Sequence, residues 1–234
     1  MDKKDEIIVD LNNAYIQKTR NINSYPITIS EVKQWSKYFQ ANPSDTSQDN
    51  ILLQNIKFSV KNFEEETGFV ILDTTIKTYY NDKRTGYFGN YIKNYPKNFY
   101  INAIRLCNLN VRNIENIKYY EINTKDNESR ILLSPTKYYV SDELLKTPKV
   151  IRMMDDCYID LQLTDLSIEI TYKAGYENNN FTNLPDDIKT CLAQLSARNF
   201  DTIKEVCNEL YDLDIMSVYD DYKKHNINRF IFFN

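Results

Sequence analysis

The chain has 234 residues, 42% of them hydrophobic, and a net charge of −4. That length suffices for one sizeable core, or for a helical body carrying an inserted module. The acidic balance and the lack of any long Lys/Arg run speak against a protein that grips nucleic acid over a broad basic surface. The start, Met1-Asp2-Lys3-Lys4-Asp5-Glu6, lacks the apolar stretch of a signal peptide, and no run is long enough to span a membrane. Nineteen Tyr and eleven Phe stand against four Gly and six Pro. Abundant Asn, Ile, Lys, Tyr and Phe reflect A/T-rich codons, and Tyr also supplies large contact area at low entropic cost.

Residues 1–24 are polar and weakly periodic, with one apolar cluster at Ile7, Ile8, Val9 and Leu11. They read as an N-terminal arm that orders against a neighbour. A helix follows near 28–41. Thr28 and Glu31 have the spacing of a capping box, with Ile27 and Val32 placed as a hydrophobic staple. Val32, Trp35 and Phe39 recur at helical intervals, and Asn42-Pro43 closes the segment. A second helix, near 47–67, carries the stripe Leu52, Leu53, Ile56, Val60 and Phe63, and Gly68 suits a left-handed C-terminal cap. Glu64, Glu65 and Glu66 crowd the end of this helix, where the dipole disfavours them. Either a basic partner or a solvated turn accommodates them.

From Phe69 to Tyr172 the period changes to two, which predicts an inserted antiparallel β module over about 69–172. Phe69–Tyr80, Ile114–Ile122, Lys137–Val140 and Val150–Met153 read as strands. Leu166, Ile168, Ile170 and Tyr172 alternate with Ser167, Glu169 and Thr171, which predicts a half-buried strand. Tyr79 to Tyr100 is a long, Tyr- and Asn-rich connection of a size usually reserved for function. The helical period returns near 185–209. Pro185 suits the first helical position, and Asp186 and Asp187 complement the helix dipole. Ile188, Leu192, Leu195 and Phe200 form its core face, and a last helix is expected near 209–224. The fold class is therefore α+β, a small helical bundle interrupted by a β module.

Little here suggests catalysis. The one His, His225, follows Lys223-Lys224 in a polar stretch. No nucleophile elbow, Gly-rich phosphate loop or metal-ligand spacing occurs. Asp155-Asp156 and Asp220-Asp221 are sequence neighbours, a spacing that seldom converges on one ligand. Cys107, Cys157, Cys191 and Cys207 stand singly, as expected of reduced, buried thiols. No enzyme, cofactor or metal is expected.

The order of elements resembles the head–tail connector adaptor family of tailed bacteriophages. The resemblance rests on Ile168-Glu169-Ile170-Thr171-Tyr172-Lys173-Ala174-Gly175-Tyr176, on Leu184-Pro185-Asp186-Asp187-Ile188-Lys189, and on Leu192 through Phe200. These match the family's strand, its Gly-Tyr turn, its Pro-opened helix start and its helix core. Thr28–Lys33, Leu52–Gly68, Ile114–Tyr120 and Tyr138–Val140 agree with its earlier elements, so the match spans roughly 27–209. The chain departs at Asn199-Phe200-Asp201, where many members carry Tyr or Trp and Arg, and it continues well past Leu210.

The resemblance implies a helical adaptor body over 25–68 and 173–224, with the β module between. It implies a ring of identical subunits, typically twelve, docked under the portal protein and facing a further neck or tail ring protein. DNA would pass through the lumen without sequence-specific binding, and no membrane is involved. Such a protein is made in the host bacterial cytoplasm and ends in the virion neck. Residues 225–234 form the expected docking tail. Phe230, Ile231, Phe232 and Phe233 are four consecutive large apolar residues, each giving about 1.5–3 kcal/mol on burial, and Arg229 precedes them. Two other readings stay open at this point. One is a stopper or tail-completion ring protein, a class that is mostly β. The other is a β-sheet module that holds glycan or peptide through the 79–100 connection.

Overall fold

The computed structural model describes residues 8–9, 15–20, 22–80, 100–101, 103–106, 108–119, 131–141, 149–154, 159–160, 168–204 and 211–227. The expected α+β class holds, with five helices and two main sheets among the described residues. The chain forms two compact units. One comprises residues 1–20 and 74–174, the other 21–73 and 175–234.

The first unit is β. A five-stranded antiparallel sheet has the order β2 (Tyr15–Arg20), β3 (Thr74–Tyr80), β11 (Ile168–Ala174), β6 (Val111–Tyr119), β7 (Ile131–Leu132). A four-stranded sheet runs β1 (Ile8–Val9), β5 (Ala103–Arg105), β9 (Val150–Met153), β8 (Tyr138–Val140), and β10 (Ile159–Asp160) pairs with β4 (Tyr100–Ile101). β1 pairs in parallel with β5, so this unit is not purely antiparallel. The expected N-terminal arm is corrected in part: residues 8–9 and 15–20 are edge strands of the two sheets. Backbone pairing to β3, from Tyr15 opposite Tyr79 to Arg20 opposite Thr74, takes up a segment whose side chains hold little apolar surface.

β11 is the centre of the larger sheet, in register with β3 from Ile168 opposite Tyr80 to Ala174 opposite Thr74. Two bulges break its pairing with β6. The alternation in its sequence predicts one wet face, but Glu169 and Thr171 are buried as well as Ile168, Ile170 and Tyr172. A central strand is shielded by neighbours on both sides, and Lys118 reaches across to Glu169 at 3.5 Å. On the apolar face the Tyr172 hydroxyl donates to Asn108 Oδ1 at 2.8 Å and accepts from Thr78 at 3.3 Å, so this buried phenol is satisfied.

The second unit is helical: α1 (Ile29–Trp35), α2 (Lys37–Ala41), α3 (Asp49–Thr67), α4 (Asp186–Ile203) and α5 (Tyr211–Ile227). The capping box forms. Glu31 N donates to Thr28 Oγ1 at 3.2 Å, and Thr28 N donates to Glu31 Oε2 at 2.6 Å. Gly68 caps α3 with φ 71°. α4 packs against both α3 and α5, and its residues 191–197 are buried without a break. The Ser196 hydroxyl meets that of Ser59 at 2.9 Å in this interior.

Two expectations are corrected in this unit. The single helix near 28–41 is two helices, broken at Ser36, which has ψ 128°. The strand expected from Phe69 begins at Thr74 instead. Phe69, Val70, Ile71 and Leu72 are fully buried yet belong to the helical unit. Backbone groups of this stretch are taken by a side chain and a turn, not by a strand ladder. Ile71 and Leu72 donate to the Glu64 carboxylate at 2.7 and 3.0 Å, and Ile71 O accepts from Tyr176 N at 3.0 Å.

Candidate functional site

Of the helical core predicted from sequence, Phe39, Leu52, Ile56, Val60, Phe63, Ile188, Leu192, Leu195 and Phe200 are buried. Trp35 is not; it is 38% exposed. The spacing Val32–Trp35–Phe39 assumes one continuous helix, but Trp35 is the last residue of α1 and Phe39 lies on α2, beyond the break at Ser36.

The cause of that break is a residue on α4. Asp201 is completely buried. Its carboxylate accepts from the Ser36 hydroxyl at 2.6 Å, Lys37 N at 2.8 Å and Tyr38 N at 3.4 Å. Ser36 makes no side-chain cap of its own, so Asp201 serves as the N-terminal cap of α2 from another helix. Around this contact Phe39 and Tyr38 pack on Phe200 with ring centroids 5.2 and 5.5 Å apart, and Lys204 lies over Tyr38 at 5.5 Å. Lys33 ties α1 to the start of α3 through Asp49 at 2.7 Å and the Asp45 carbonyl at 2.7 Å.

The turn and helix-start residues form a second cluster. Gly175 has φ +83°, and a Cβ there would lie 2.0 Å from Leu72 O. Only glycine allows the two backbones to approach this closely. The Tyr176 ring packs on Phe181, and Pro185 stands one position before the first helical residue, as the N-cap with ψ 138°. Asn179 joins three stretches of chain within the helical unit. Its Nδ2 donates to Asn23 Oδ1 at 2.6 Å, and its Oδ1 accepts from Asp73 N at 2.8 Å. Asn178 N donates to Asp73 Oδ2 at 2.9 Å. Residues 23, 73 and 179 are thus pinned together close to where the chain passes between the two units at 20/21, 73/74 and 174/175. Asn178 and Asn179 take φ of 51° and 53°, which Asn tolerates better than most residues.

α5 joins α3 through aromatic rings. Tyr219 and Tyr222 lie 5.0 and 5.7 Å from Phe63, and Lys223 pairs with Glu66 at 2.6 Å. Two of the three acidic residues at the end of α3, Glu64 and Glu66, therefore have close partners within the unit. Glu64 holds the following backbone, Glu65 meets Lys61 at 3.8 Å, and Glu66 meets α5. Burial pushes the Tyr219 and Tyr222 phenols far up, and pushes Tyr176 and the free thiol of Cys191 to about 12, with Asp187 adding to the last two. Among the described residues no group of three or more His, Cys, Asp and Glu is placed to hold a metal ion. Asp220 and Asp221 are exposed on α5. No described helix is long and apolar enough to cross a membrane.

Arg229, Phe230, Ile231, Phe232 and Phe233 lie outside the described residues, as do Asp155-Asp156 and most of the 79–100 connection. Sequence reasoning missed Glu64, Asn179 and Asp201 as organising side chains. Two of the three carried a signal. Glu64 conflicts with the helix dipole, and Asp201 stands in the stretch that departs from the connector pattern.

No family model and no curated protein matches the chain. Solved structures do. A chain in the virion of a native gene transfer agent (GTA) particle superposes with a TM-score of 0.61 at 10% identity, over 88% of this chain and 94% of that one. A chain in the neck of the empty GTA particle, computed with C6 symmetry, gives 0.57 at 10% identity, over 88% and 95%. One in the neck of the native particle, computed with C12 symmetry, gives 0.53 at 11% identity, over 88% and 94%. At such identities the fold is what is shared, and it is shared over nearly the whole length of both chains.

Proposed function

We propose that the chain is a structural component of the neck of a phage-like particle: an adaptor subunit that forms a ring under the portal protein, through which DNA passes. The observation that carries this reading is the likeness to chains of GTA virion and neck particles, which covers 88% of this chain and at least 94% of each of the others. A likeness that complete in both directions includes the β unit as well as the helices. The symmetry of those necks supports a ring of identical copies. The five-helix content supports the adaptor role over a stopper, a class expected to be mostly β.

Function in this reading is assembly energetics, with no catalytic step and no cofactor. The helical unit is the rigid part. Asp201, Glu64 and Asn179 fix its loops by hydrogen bonds in the interior, so its surface is preformed before it meets a neighbour. Residues 229–233 are proposed to dock on the portal, or on the next subunit. The test is co-sedimentation with the portal protein encoded nearby. The full chain should bind, and the chain lacking residues 226–234 should stay folded and not bind. Unchanged portal affinity after that deletion would remove the docking role from the tail. No affinity in either form would remove the adaptor role.

A further inference from the structure

Two neighbouring helices of the helical unit, α3 and α5, each carry a large apolar side chain in solvent. Phe58 on α3 is 57% exposed and Met216 on α5 is 56% exposed, with Ile51 one heptad before Phe58. α4 packs against both α3 and α5, and the buried stripes of the two helices turn toward the interior. The opposite stripes, carrying Phe58 and Lys61 on α3 and Met216 and Asp220 on α5, therefore open outward together. Asn62 meets Tyr219 and Glu66 meets Lys223, so the two helices run in the same direction with a constant offset. By that offset Phe58 stands level with Met216 to within about one residue rise, ~1.5 Å, and Lys61 level with Asp220 to within about two.

We infer that this face docks a second copy of the chain about a two-fold axis parallel to the helices. Such an axis preserves height and lays α3 of each copy on α5 of the other. Phe58 then meets Met216 of the second copy, a favourable sulfur–aromatic pairing, and Lys61 meets Asp220 of the second copy. Asp220 has no ion-pair partner among the described residues, and the Lys61–Glu65 contact is long and exposed. The face is thus complementary to itself in both apolar surface and charge. With helices about 10 Å wide overlapping for about 20 Å, each copy contributes roughly 400–500 Å², and the pair buries close to the ~1,000 Å² floor of specific interfaces. This pairing is a weak dimer of the free subunit, distinct from ring assembly and not dependent on the ring reading.

Sedimentation velocity of the full chain, at roughly 10 to 300 μM, tests it. A monomer–dimer equilibrium is expected. Phe58→Asp should abolish it. Lys61→Glu and Asp220→Lys should each weaken it about tenfold, since two symmetric pairs change sign, and the double reversal should restore it to within about threefold. All three substitutions are at exposed positions, and circular dichroism checks that they leave the fold intact. A monomer at every concentration overturns the proposal, as does a dimer indifferent to Phe58→Asp or a double reversal no better than the single ones. A monomeric full chain that dimerises only after residues 228–234 are removed also overturns it, because the occupant is then the chain's own tail. A wild-type chain that assembles into rings yet shows no dimer when free ends this inference and leaves the neck reading standing.

Discussion

Replacing Asp201 by Ala should loosen the junction of α1, α2 and α4. The carboxylate is fully buried and accepts two short hydrogen bonds and one longer one, at 2.6, 2.8 and 3.4 Å. Bonds to a charged acceptor contribute about 1.5–3 kcal/mol each, and Ala also leaves the buried Ser36 hydroxyl and the part-buried Lys37 N–H without this acceptor. The expected loss is about 3–5 kcal/mol, with Asp201→Asn in between because one oxygen remains. Trp35 is the chain's single tryptophan and adjoins Ser36, so its fluorescence reports on this unit. Urea unfolding followed at Trp35 should show a midpoint lowered by more than about 1 M at unchanged slope. A loss below about 1 kcal/mol would refute the view that Asp201 caps α2 and breaks the helix at Ser36.

Gly175→Ala should cost at least about 2–3 kcal/mol, since it combines an unfavourable φ with a clash against Leu72 O; thermal unfolding checks this. Glu64→Ala should cost about 2–3 kcal/mol by stripping the acceptor from Ile71 and Leu72, and hydrogen exchange at those two amides should accelerate most. The raised phenols of Tyr176, Tyr219 and Tyr222 and the raised Cys191 thiol set an alkaline limit. Between the unfolded and folded values the native state holds more protons than the unfolded one. Stability is therefore full below about pH 9 and falls as pH rises toward 12. Urea midpoints from pH 8 to 11 should decline, and a flat profile would contradict the burial of these groups.

The helix ends were legible in the sequence because their causes are local. Thr28 with Glu31, Gly68, and Pro185 with Asp186 each act within a turn. Period-two stretches likewise placed β8, β9 and most of β6 and β11. What escaped depends on partners far along the chain. Asp201 acts on residues 36–38, Asn179 on residues 23 and 73, and β2 on β3. Phe69–Leu72 shows the same limit. Its composition is that of a strand, but Glu64 and Tyr176 bind its backbone before a ladder can. The proposed docking tail was read from composition alone, from four adjacent apolar side chains at 230–233.

The most direct measurement is cryo-electron microscopy of the neck of the particle whose genome encodes this chain. The reading predicts a ring of identical copies between portal and tail, into whose density the helical unit and the β unit each fit. Purified particles that lack the chain, or that carry it anywhere other than the neck, would contradict it.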